Sequence, residues 1–255
     1  MGRKILWQEL RRTEFEEASK ANAVVVIPVA SIEQHGNHLP VNTDSCDCYA
    51  IAQRAAQAIE QFPVLVLPLI WTGFSPYHMP YGGTITIKYQ TLVQLLTEVA
   101  VSVHAHGFRK IFFLNGHGGN GSIIAAIRSK LACEDQISSV VGYTWWNLPS
   151  VVKEMKKVSE SDKGCIGHAG ELETSIQLYL QPELVDTTSA SWSRGVNGDP
   201  STATREKGER LIGAAVNALV EVLRDFHSGK LEEDLLLSEQ GFEGRKIIPD
   251  SWVPK

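Results

Sequence analysis

Three short stretches concentrate the residue types of metal-assisted chemistry. The first, SIEQHGNHLPVNTD over residues 31–44, holds Glu33, His35, His38 and Asp44. Glu33 and His35 are two positions apart, so in extended chain they project the same way. A carboxylate beside an imidazole, with an aspartate nine residues beyond His35, is half of a metal site. Neutral imidazole and carboxylate suit zinc or manganese. The second stretch, NGHGGN over 115–120, presents His117 between glycines. The third, GHAGELETS over 167–175, carries His168, Glu171 and Glu173. A single zinc takes three protein ligands and leaves a position open for water. A metal pair takes about five ligands with a bridging carboxylate, its ions about 3.5–4 Å apart.

Each residue alone has a plainer use. Asp44 can cap the helix that follows it. Glu33 and His35 can form a surface pair, and His38 can bond backbone. Glu171 and Glu173 both sit in a first helical turn, where carboxylates suit the helix dipole. As a set facing His117, the residues of the first stretch read as metal ligands, and one of Glu171 and Glu173 can face inward with them. Residues 116–121 also fit the dinucleotide pattern G-x-G-x-x-G. That loop wants an acidic residue about 20 positions on, at the end of the next strand. Here that strand ends in Tyr143-Thr-Trp-Trp-Asn147, and Glu134 and Asp135 precede it. Glycines around His117 have another use: they allow a sharp turn and leave room around an imidazole.

The elements that position these loops follow from hydrophobic patterning. Val24–Val29, Val64–Leu69, Lys110–Leu114 and 139–144 read as buried strands. Helices are expected over 45–61, 89–106, Ser122–Leu131, 169–180 and 204–226. Alternating strands and helices imply an α/β fold, a mostly parallel sheet with helices on both faces. Such a sheet binds ligands outside the carboxyl ends of its strands, where residues 31–44 and 115–120 lie. Residues 1–227 read as a single domain. The polar tail, 228–255, is either an arm packed on a neighbouring subunit or a disordered end.

The chain has 255 residues, 43% of them hydrophobic, and a net charge of −5. That balance favours neither nucleic acid nor an anionic membrane as partner. No apolar run is long enough to span a bilayer, and the charged N-terminus lacks a signal core, so the expected location is the cytoplasm. The four cysteines include no C-x-x-C and read as free thiols.

In order along the chain, EQHG (33–36), NTD (42–44), NGHGGN (115–120), GHAGELETS (167–175) and ATREKGE (203–209) resemble the creatininase (creatinine amidohydrolase) family over roughly residues 5–226. The resemblance implies a creatininase-like three-layer α/β sandwich, a homohexamer, and a site for two ions of zinc and/or manganese. By position, Glu33, Asp44 and His117 would hold one ion, and His35, Asp44 and Glu173 the other, with Asp44 bridging. His168 matches the catalytic histidine, Trp146 a tryptophan near substrate, and Gly118 a backbone contact to it. Residues 75–85 match a substrate loop, in which Tyr77, His78 and Tyr81 would read the substrate. The creatinine-hydrolysing enzyme carries Tyr and Glu where this chain has Gly118 and Gly119, and a substrate-contacting Glu in place of Gly167. These departures point away from creatinine.

The implied reaction is hydrolysis of a cyclic amide or related C–N bond in a small molecule. The alternatives are hydrolytic ring opening of a cyclic diketone such as a diketo-inositol, and formamide deformylation; the NGHGGN form also occurs in a peptide-trimming branch of the family, but the expected bond is not a peptide bond. Two unrelated readings stand beside it. One is a cysteine hydrolase using Cys165 and His168, spaced i,i+3. The other is a nucleotide-binding protein using the 116–121 glycine loop.

Overall fold

Strand β1 (Val24–Val29) is buried along its whole length. Val24 and Val26 enter one hydrophobic core, while Val25, Ile27 and Val29 enter another. A strand buried on both faces must be covered on both, which is the condition for a parallel sheet between helices. The computed structural model describes residues 3–161 and 166–231. Its sheet adds β2 (Val64–Val66), β3 (Lys110–Asn115) and β4 (Val140–Thr144), in the order β2-β1-β3-β4, all parallel. Helices α1 (Arg12–Lys20), α3 (Tyr89–Ala105) and α4 (Gly121–Cys133) cover one face. Helices α2 (Thr43–Ala58), α5 (Pro149–Val158), α6 (Glu171–Leu180) and α7 (Arg205–Ser228) cover the other. This is the expected three-layer α/β sandwich.

Several boundaries differ from the sequence expectation, with local causes. Helix α2 begins at Thr43, so Asp44 lies inside its first turn and does not cap it. Strand β2 stops at Val66, short of the expected Leu69, because Pro68 cannot continue the ladder. Pro28 sits in a central strand without loss: Val24 and, just past β1, Ala30 donate toward the β2 side, to the Pro63 and Ile70 carbonyls, and β2 has ended where the donor of residue 28 is missing. Helix α6 begins at Glu171, not 169, because Ala169 adopts φ +55 and Gly170 is extended. Helices α1 and α5 were not anticipated. The first hides in a charged stretch; the second buries only Val151, Met155 and Val158 along one stripe. The tail from residue 232 lies outside the described residues. No described helix is long and apolar enough to cross a membrane.

The strand order creates the crevice. From β1 the chain moves out to β2 on one side, then returns to β3 on the other. The loops leaving β1 and β3 therefore diverge at their carboxyl ends, the place where open α/β sheets bind ligands. Gly116, just past β3, brings this edge against α2. A Cβ there would lie 2.5 Å from Cys48 Cβ and 3.0 Å from the Asp44 carbonyl oxygen. Gly116→Ala is therefore expected to push α2 outward and destabilise the fold by about 1–3 kcal/mol. Urea denaturation checks this; an unchanged midpoint would mean that the helix yields freely.

Candidate metal centre

The loop after β3 aims one imidazole nitrogen into the crevice. Asn115 brackets the backbone of His117: its Nδ2 donates to the His117 carbonyl (2.8 Å) and to Thr144 Oγ1 (2.9 Å), and its Oδ1 accepts from the His117 N–H (3.1 Å). His117 Nε2 donates to the Phe74 carbonyl at 3.1 Å. That leaves Nδ1 facing Asp44 Oδ2 (3.0 Å) and Glu33 Oε2 (3.2 Å).

The loop after β1 does the same with the other nitrogen. His35 Nδ1 donates to the Glu33 carbonyl at 3.1 Å. Its Nε2 faces Asp44 Oδ1 (3.2 Å) and Glu173 Oε2 (3.5 Å). This Nε2 is buried and has no hydrogen-bond partner among the described residues. A metal-binding imidazole commonly anchors one nitrogen on a carbonyl and bares the other. Both histidines do so. Asp44 turns one oxygen to each of them. The carboxylates are themselves held: Ser75 Oγ donates to Glu33 Oε2 at 2.5 Å, and the Ala169 N–H to Glu173 Oε2 at 2.5 Å.

Charge concentrates here. Burial pushes the Asp44 carboxyl up, but His35 and His117 outweigh it and hold it well below its ordinary value. Burial and Asp44 raise Glu33, yet His117 and His35 leave it lowered. Burial opposes charge on His117, but Asp44 and Glu33 lift it to about 10. His35 is likewise raised well above its usual range by Glu173 and Asp44, against its burial. Three carboxylates thus demand positive charge at two bared nitrogens. Glu33, Asp44 and His117 could hold one divalent cation, and His35, Asp44 and Glu173 a second.

The remaining expected residues surround these. A cavity of about 220 Å³ reaches Glu33, Asp44, His117 and Glu173 and is walled by Tyr77, His78, Gly118, Trp146 and His168. His35 lies beneath it, fully buried. Tyr77 stands on the rim, 74% exposed. The His168 ring lies between His35 and His78, 4.2 Å from each centroid. Its Nε2 donates to the Gln34 carbonyl (2.7 Å), and its Nδ1 is 3.5 Å from Glu33 Oε1. His168 therefore also falls within ligand reach, in the sets Glu33–His78–His168 and His35–His168–Glu173 beside Glu33–His35–Asp44. A wider groove of about 480 Å³ along α3, reaching Lys130 of α4, holds none of these residues.

Other sequence candidates have structural work. His38 Nε2 pairs with Thr174 Oγ1 at 3.1 Å and ties the first loop to α6. Glu171 serves more than the helix dipole: it is fully buried and bonds Lys207 Nζ at 2.7 Å and Ser159 Oγ at 3.0 Å. Cys165 lies outside the described residues. The glycine loop is poorly made for phosphate, because the Asn120 and Gly121 amides already donate to the His117 and Gly118 carbonyls. A Cβ at Gly119 would collide with the Phe74 carbonyl and His117 Nε2, so the glycine lets the imidazole pack. Sequence reasoning missed Ser75, Gln34 and Asn120. Asn120 accepts from the Phe74 N–H (3.0 Å) and donates to the Ala30 carbonyl (3.1 Å), tying two loops together. Gln34 and Asn120 stood inside motifs already noted; Ser75 carried no signal of its own.

Residues 8–223 match the family model for creatininase, described as creatinine amidohydrolase. A mycofactocin precursor peptide peptidase of Mycobacterium tuberculosis is 30% identical over 241 residues, covering 83% of this chain and 89% of that protein. The creatinine amidohydrolase of Pseudomonas putida is 26% identical, covering 88% and 98%. A solved mutant creatininase of Zn–Zn type superposes with a TM-score of 0.76 at 26% identity, covering 88% of this chain and 98% of its own. Fold, loop order and sequence converge: the chain belongs to the creatininase family of hydrolases.

Proposed function

We propose that this protein is a two-metal amidohydrolase that cleaves a C–N bond beside a carbonyl in a small molecule other than creatinine. One observation carries the reading: Asp44 presents its two oxygens to two different bared imidazole nitrogens, as a bridging carboxylate does. Bound there, a pair of zinc or manganese ions would acidify water toward neutral pH and polarise a carbonyl. Kinship with a Zn–Zn-type structure supports zinc as one occupant.

The chain's own groups supply the rest. Glu33, Asp44 and Glu173 fix the charge of the site. His168 is anchored through Nε2–H, so the nitrogen that faces the cavity is Nδ1, which would take a proton from the attacking water and return it to the leaving nitrogen. Trp146 and Leu172 wall the cavity, and Tyr77 and Ile166 stand exposed at its mouth.

A second reading, hydrolysis of an amide within a peptide, draws on that mouth. Gly118 has open space beside its Cα, and Tyr77 and Ile166 form an apolar rim suited to a longer substrate. Similarity to the peptidase supports the same choice.

Elemental analysis is the deciding measurement. About two divalent ions per chain are expected, with both weakened in Asp44→Ala, since Asp44 faces both sites. Uptake should release about one proton per ion, because carboxylate neighbours hold His35 and His117 protonated near neutral pH. A full metal complement in Asp44→Ala would end the bridging role. His168→Ala should keep its metal and lose turnover by about 10²–10⁴-fold on whichever cyclic amide, formamide or short peptide the wild type cleaves. Unchanged turnover would remove His168 from proton transfer.

A further inference from the structure

Gln34 occupies the middle of the EQHG stretch and has no role in the chemistry above, yet it is 4% exposed and touches both histidines beside the candidate ligands. Two backbone groups fix which way its side-chain amide points. Oε1 accepts from the Gly36 N–H at 3.0 Å, and Nε2 donates to the Gly195 carbonyl at 2.7 Å. A flipped amide would set donor against donor at Gly36 and oxygen against oxygen at Gly195. Both glycines are built for this: Gly36 has φ +72 and Gly195 φ +89, and a Cβ at Gly195 would lie 2.7 Å from the Gln34 amide.

With one Nε2 proton on Gly195, the other points at His78 Nδ1, 2.7 Å away. That nitrogen must accept, so the neutral His78 ring carries its proton on Nε2. No amide proton is left for His168 Nε2, at 3.1 Å, which itself donates to the Gln34 carbonyl at 2.7 Å. Gln34 thus settles both rings, one through its side chain and one through its backbone.

We propose that Gln34 is a positioning residue: its amide makes His78 a hydrogen-bond donor toward the cavity, and so keeps His78 out of the metal-ligand set. The consequence is specific. Glu33, His78 and His168 place three ligand-type atoms within 4.8 Å of one another. A bared His78 Nε2 would complete a cation trap there and draw Glu33 away from His117. With its proton on Nε2, 3.7 Å from Glu33 Oε1, the ring instead offers a donor to a carboxylate or a substrate oxygen. The proposal rests on the metal-hydrolase reading for its purpose, though not for its geometry.

Nitrogen-15 NMR of histidine-labelled, zinc-loaded full-length protein reads the tautomers directly, with His78→Asn and His168→Asn for assignment. The wild type is expected to show His78 protonated on Nε2. Gln34→Ala removes the donor and should erase that preference. Gln34→Glu keeps the shape, turns the donor into an acceptor, and should move the proton to Nδ1. Turnover in Gln34→Glu should fall roughly 10- to 100-fold. A wild-type His78 protonated on Nδ1, or a tautomer unmoved in Gln34→Glu, overturns the proposal. Because the tautomer is read without substrate, it separates from the hydrolase reading, which fails instead on the metal count.

Discussion

Three carboxylates, from Glu33, Asp44 and Glu173, meet in a place where Asp44 is 5% exposed and Glu33 1% exposed. Burying unpaired charge is among the costliest things a fold can do. The surrounding structure can be understood as the compensation. Two imidazoles face the carboxylates, the Ser75 hydroxyl takes one Glu33 oxygen, and the Ala169 amide takes one from Glu173. The left-handed turn at Ala169 is part of this arrangement, since it sets that amide four residues before Glu173. A helix that began at 169 would place the same amide in regular helical geometry. The site therefore shapes the fold locally, in a strained residue and a delayed helix start.

The glycines act at the same scale. Gly116 lets β3 approach α2 near Asp44, and Gly119 lets the His117 ring lie against the chain at Phe74. Gly167, Gly170 and Gly198 pack backbone on backbone, so the 195–198 segment lies directly over the loop that carries His168. The Asn197 N–H closes that contact on the His168 carbonyl at 2.9 Å. Side chains in these places would separate elements that must touch for five candidate ligands from four segments to converge.

The sheet and most helices were legible because burial leaves a periodic signature. The runs Val24–Val29 and Lys110–Leu114 read as buried strands, and they form β1 and all but the last residue of β3. The candidate ligands were legible for another reason: carboxylates and imidazoles near strand ends stand out in type, and their motif order matches the family. Partners of those ligands were harder to see. Ser75 lies 42 residues from Glu33, in a segment whose aromatic residues read as a substrate loop. Gln34 looks like a spacer between two ligands; its role depends on the Gly195 carbonyl, 161 residues away. Helix α5 buries only Val151, Met155 and Val158 and gives a short apolar stripe, too brief to stand out. What escaped the sequence were contacts at long separation, where neither partner is unusual by type.

The same geometry bears on why family membership alone leaves the substrate open. Gly119 and Gly167 cannot gain side chains in this backbone: one would strike the Phe74 carbonyl, the other the Asn197 carbonyl. Any side chain there, a glutamate included, is therefore excluded by packing. Placing a side chain at either would first displace the loops that hold His117 or His168. Gly118 differs, because nothing lies near its missing Cβ and it faces the cavity. Of the three glycines, this is the one with open volume beside it. Under the proposed function, recognition would fall to Tyr77, His78, Trp146 and the space beside Gly118, which border the cavity above the candidate ligands.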